Sequence, residues 1–187
     1  MTNQIAISVH TSPGDEVICS SFSHVYNYEG GGIARLSGAS VKLLDGDRGM
    51  FTSADVESAI NPNDSHYART SLVCLEDTCN KGGGSIWDIE EIKKVSKSAR
   101  SYGLAVHLDG ARLWNAIVAR GIHHDTDALK AYASNFDSIS LCLSKGLGCP
   151  VGSVLLGSES FIAEAHRVRK VLGGGMRQAG CVAIAGT

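Results

Sequence analysis

The chain has 187 residues, 43% of them hydrophobic, and a formal net charge of -2. That composition fits one globular domain or part of a larger one, and the near-neutral charge gives no reason to expect nucleic acid or an anionic membrane as a partner. No run reaches the roughly 18 apolar residues of a spanning helix, and Met1-Thr2-Asn3-Gln4 lacks the basic start of a signal peptide.

In chain order, the stretch from Asn3 to His10 already has a helical pattern, with no N-cap before it. Glu16–Ser20 reads as a strand, followed by strand patterns at Ser40–Leu44, Ser71–Leu75, Leu104–Leu108, Ser138–Leu143 and Gly152–Leu156. Helical patterns lie between and after them at Asp55–Ile60, Trp87–Tyr102, Ala111–Arg120, Asp127–Ser134 and Phe161–Leu172. In the Trp87–Tyr102 segment, Ile89, Ile92, Val95 and Ala99 form one apolar face. The alternation predicts an α/β fold with a mostly parallel sheet flanked by helices. Ala179–Thr187 is helical in pattern again and stops without a C-cap. Periodic segments that run straight into both termini predict a fragment of a larger domain.

There are six cysteines and no CxxC pair. Cys19, Cys74 and Cys142 fall in apolar strand runs, so they read as buried thiols in a reducing, cytoplasmic setting. Without paired spacing, a zinc site built on Cys74 and Cys79 is set aside, and no metal is expected. A Rossmann-type nucleotide site is also set aside, because no GxGxxG follows a strand.

In an open α/β sheet, ligands bind beyond the carboxyl ends of the strands. Lys145 follows the strand Ser138–Leu143 and precedes Gly146 and Gly148, an unusual place for an ordinary surface charge. Asp109 ends another strand, with Arg112 in the first turn of the next helix. Asp109 could equally be a plain N-cap for that helix. Paired in one sheet, an amine that condenses with an aldehyde and a carboxylate that keeps a pyridine nitrogen protonated are what pyridoxal 5'-phosphate requires.

The segments HLDGARLWNA, SLCLSKGLGCPVGS and RKVLGGGMRQAG, in that order, resemble the threonine aldolase family, within the β-eliminating lyase group and the aspartate-aminotransferase-like fold. The resemblance covers essentially the whole chain. It implies a partial pyridoxal-phosphate-binding large domain over residues 1–187, with an N-terminal segment and a C-terminal small domain outside it. It also implies cleavage of the Cα–Cβ bond of L-threonine or L-allo-threonine to glycine and acetaldehyde, in a homodimer or homotetramer. By the same resemblance, Lys145 condenses with the cofactor aldehyde, Asp109 pairs with the ring nitrogen, and His24 stacks on the ring near the substrate hydroxyl. Arg112 lies beside the cofactor and the substrate carboxylate, and Thr2 belongs to the tail of the phosphate-binding turn. Ser144 is taken as a cofactor contact, and Tyr28, Lys170 and Arg177 as substrate contacts. Many family members carry a histidine where this chain has Cys79, which therefore receives no catalytic role. Two alternatives stay open: another pyridoxal phosphate enzyme on the same fold, such as an aminotransferase or β-eliminating lyase, and a catalytically inactive fragment.

Overall fold

The computed structural model describes residues 1–186. Helix α1 (Thr2–His10) leads into strand β1 (Glu16–Ser20), the short helix α2 (His24–Asn27) and a π-helical turn at Ile33–Ser37. Strand β2 (Ser40–Leu44), helix α3 (Ser53–Ala59), strand β3 (Thr70–Glu76) and helix α4 (Ile89–Ser101) follow. Strand β4 (Ala105–Gly110) is joined through helices α5 (Leu113–Ala119) and α6 (Thr126–Ala133) to strand β5 (Ser138–Cys142). Strand β6 (Ser153–Gly157), helix α7 (Glu159–Val171), the short helix α8 (Gly180–Ala183) and a 3-10 turn at Ile184–Gly186 follow.

The six strands form one sheet in the order β2-β1-β3-β4-β5-β6. The first five run parallel, and β6 pairs antiparallel with β5. The predicted α/β class with a mostly parallel sheet is therefore the observed one. Local sequence explains the starts of four helices. Thr52 closes a capping box with Asp55, and the side chains of Asp88, Asp125 and Ser158 each accept a backbone N–H at the head of α4, α6 and α7. Helix α5 is different. Its N-cap is Arg112, with no side-chain cap bond, so Asp109 does not cap it and Arg112 precedes the helix instead of lying in its first turn. Asp109 is the penultimate residue of β4.

Side chains alternate across the sheet and divide the core in two. On one face Ile18, Val73, Leu75, Val106 and Leu108 pack against Val56, Ile92, Val95, Ile117 and Tyr132. On the other, Val17, Cys19, Leu72 and Cys74 meet Ile7, Val25 and Ile33. The alternation puts His107 and Asp109, and next to them Ser138 and Ser140, on the second face, under α1. A buried face would ordinarily be apolar there.

Candidate active site

Strands β4 and β5 are adjacent and parallel, with Asp109 opposite Ser140 and Gly110 opposite Leu141. Their carboxyl ends open into a crevice of about 210 Å³. It brings together Thr2, His24, Asp109, Arg112 and Lys145 from the sequence reading, along with Glu29 and Glu76, which that reading did not single out. Residues from five separate stretches thus meet at one sheet edge, where an α/β ligand site belongs.

The most buried charges of the crevice are acids, while Arg112 and Lys145 line its more open side. Asp109 is 2% exposed. Burial first, then the neighbouring Glu76 and Glu29, push its carboxyl up to about 6, partly offset by the Ala111 N–H and by His24. Its Oδ1 accepts the Ala111 N–H at 3.1 Å and its Oδ2 accepts the Asn3 amide at 2.8 Å. Burial also works against ionisation of Glu29, but bonds from Asn3, Gln4 and His24 outweigh it and hold that carboxyl below its usual range. Glu76, the last residue of β3, accepts the backbone N–H groups of His24 at 2.8 Å and Asn80 at 3.0 Å. It therefore fixes the loop that carries His24.

His24 lies 3.0 Å from Glu29 through Nδ1. A carboxylate can only accept, so Nδ1 carries the proton and Nε2 of the neutral ring is left as an acceptor. Tyr28 leans over the same ring, with centroids 5.5 Å apart, but is 57% exposed and does not line the crevice. Lys145 Nζ donates to Cys142 Sγ at 3.0 Å, at the crevice wall. Thr2 Oγ1 and Ser140 Oγ are hydrogen-bonded at 2.6 Å, which seats the first turn of α1 at the crevice.

Ser144, Lys170 and Arg177 are not among the crevice residues, and Lys170 and Arg177 are exposed. Cys79 is 1% exposed and packs against Gly49, where an added Cβ would run into its Sγ. Burial raises that thiol further. Glu76 could have been found from sequence by the rule that pointed to Asp109, since it too ends a strand. Glu29 and Asn3 carried no such signal, because only the tertiary fold brings them beside Asp109.

The acid-rich crevice suits a pyridine nitrogen. A buried carboxylate with raised proton affinity, held among other acids, favours a protonated ring opposite it, and an amine stands at the same cavity. The residues present thus fit pyridoxal phosphate.

Comparison with known proteins gives the same direction. The β-eliminating lyase family model matches residues 1–187. The chain is 44% identical over 185 residues to the low-specificity L-threonine aldolase of Candida albicans, covering 96% of this chain and 47% of that protein. It is 41% identical over 185 residues to the low specificity L-threonine aldolase of Escherichia coli, covering 98% and 53%. The solved threonine aldolase of Leishmania major superposes with a TM-score of 0.76 at 25% identity, over 92% of this chain and 49% of that one. The chain spans about half the length of the curated relatives it matches.

Proposed function

Because this chain belongs to the β-eliminating lyase family, we propose that its crevice is the cofactor and substrate site of a pyridoxal-phosphate-dependent aldehyde-lyase. The reaction is cleavage of the Cα–Cβ bond of L-threonine or L-allo-threonine to glycine and acetaldehyde. One observation carries the reading: adjacent parallel strands bring Lys145 and Asp109 to the walls of the same cavity. The free thiols of all six cysteines support a reducing, cytoplasmic setting.

When bound, pyridoxal phosphate supplies an aldehyde for amine capture and a ring that accepts electrons. Lys145 is the residue that would hold its aldehyde end, and Asp109 the one that would hold a proton against the ring nitrogen. Thr2, in the first turn of α1, is placed for the phosphate end, where backbone N–H groups favour an anion. Ser144 is kept as a flanking cofactor residue. His24, with Nδ1–H committed to Glu29, can take the β-hydroxyl proton at Nε2. Arg112 pairs with the substrate carboxylate. Tyr28, Lys170 and Arg177 are exposed, which suits presentation toward the substrate site across a subunit interface of a homodimer or homotetramer.

Reductive labelling tests the reading. Borohydride added after pyridoxal phosphate should fix one pyridoxyl group on Lys145, read by peptide mass, and Lys145→Ala should lose it completely. A label that persists in Lys145→Ala would overturn the assignment. Formation of a keto acid from threonine, in place of glycine and acetaldehyde, would favour an aminotransferase on the same fold.

A further inference from the structure

The face of β4 and β5 beneath α1 holds an unbroken chain of hydrogen bonds between buried and half-buried groups. His10 Nε2 lies 2.8 Å from Ser138 Oγ, and Ser138 Oγ lies 2.8 Å from His107 Nδ1. His107 Nε2 lies 3.1 Å from Asn3 Oδ1. Asn3 Nδ2 then donates at 2.8 Å to both Asp109 Oδ2 and Glu29 Oε1. His107 is fully buried and Asn3 is 8% exposed.

With both acids ionised, the hydrogen bonds fix one direction for each side-chain link in this chain. The two carboxylates only accept, so both amide protons of Asn3 face them and its Oδ1 faces His107. An amide oxygen only accepts, so His107 carries its proton on Nε2. A neutral imidazole has one N–H, so Nδ1 is bare and accepts from Ser138. That spends the Ser138 proton, so Ser138 Oγ accepts the N–H of His10. No member can be reversed without setting two donors or two acceptors face to face. The amide link also prevents the chain from acting as a proton wire, because an amide does not readily pass protons on. What remains is orientation.

We propose that Asn3 is a positioning residue for Asp109, and that His107 and Ser138 hold the Asn3 amide the right way round for that task. With Oδ1 on Ala111 N–H and Oδ2 on the Asn3 amide, the Asp109 carboxylate is locked in rotation at the crevice wall and keeps a lone pair for a cationic ring. The same amide spaces Asp109 from Glu29, two carboxylates that would otherwise repel at close quarters. Glu76 and His24 are the other titratable groups acting on Asp109. A polar column inside an otherwise apolar layer is a local departure from good packing of the kind retained at functional sites. The inference rests on the crevice being a pyridoxal phosphate site, but two of its three tests need no cofactor.

Long-range proton–nitrogen NMR of the histidine-labelled chain reads the His107 tautomer directly. The expected form is Nε2–H at pH 7 to 8, where Asp109 is ionised, and an Nδ1–H signal there would overturn the proposal even if every variant failed to fold. Carbon NMR of the Asp109 carboxyl in Asn3→Ala should show its titration midpoint raised by about one unit, since an N–H donor to the charged form is gone. An unmoved midpoint would overturn it. In fluorescence titrations with pyridoxal phosphate, His107→Leu should bind at least about tenfold more weakly than wild type. His107→Gln, which keeps an N–H at the Nε2 position, should stay within about threefold of wild type. Equal losses in the two variants would reduce His107 to a packing residue. If the unsubstituted chain does not take up pyridoxal phosphate, the functional reading falls, while the tautomer and the Asp109 titration still decide the positioning role.

Discussion

His107 and Asp109 stand two residues apart on β4, and burial drives their proton affinities in opposite directions. Burial, helped by His10, lowers the His107 imidazole to about 3, whereas Asp109 is raised to about 6. The signs give opposite contributions to stability. Between about pH 6.5 and 3 the unfolded chain protonates His107 and the folded chain does not. The His107 contribution is therefore present above pH 6.5 and lost on acidification, by up to about 5 kcal/mol. Asp109 contributes below about pH 4, and its contribution is lost as pH rises through 6. Urea denaturation over pH 4 to 7 should show His107→Gln with a much flatter acid limb than wild type. Equal slopes would mean that His107 is not held neutral. Lys145, Asp109, Arg112, Thr2 and His24 were all legible in the sequence, and all reach the crevice. Asp109 betrays itself by being charged at a strand end, whereas Lys145 lies three residues past the end of β5 and is exposed, a correction to its expected placement, and Thr2 and His24 needed the family resemblance. Asn3 stayed hidden because an asparagine in a first helical turn is unremarkable until the strand beneath it is known.

Among the elements, the apolar periodicities located all six strands to within a residue or two at either end. The direction of β6 was not read. It could have been, since the Leu143–Gly152 connection is too short for a parallel crossover, and Leu143 N–H donates to Gly152 O to close it. The π-helical turn at Ile33–Ser37 left no periodic signal in five residues. Behind the crevice, the segment after β3 is anchored to α5 and α6 by one buried carboxylate. Asp77 Oδ2 accepts from Arg120 Nη2 and from Tyr132 Oη, both at 2.7 Å. Asp77 is fully buried, and burial raises its carboxyl despite Arg120. Removing one partner strands the other charge, so Arg120→Ala should cost about 3–5 kcal/mol in urea denaturation. Adding Asp77→Asn to Arg120→Ala should recover part of that loss. A double variant as unstable as the sum of the two singles would show that the pair is not coupled.

At the scale of the whole sheet, β6 is an edge strand, with no further strand on its outer side among the described residues. Val154 and Leu156 are 38% and 43% exposed, beside exposed Leu147 and Val151. An apolar edge with unpaired backbone groups invites pairing with other chains. The 187-residue chain should therefore associate with rising concentration. Val154→Lys should suppress that association in light scattering while leaving the circular dichroism spectrum unchanged. An unchanged scattering curve would place the association elsewhere. The crevice has a further consequence in time. Its acids lie on earlier segments and its amine on a late one: Glu29, Glu76 and Asp109 are all translated before Lys145. At about 5–20 residues per second, roughly ten seconds separate the first of these from the lysine. A growing chain on the ribosome thus contains all three acids before it contains the lysine. On the proposed assignment, covalent capture of an aldehyde by Lys145 requires a chain translated past β5.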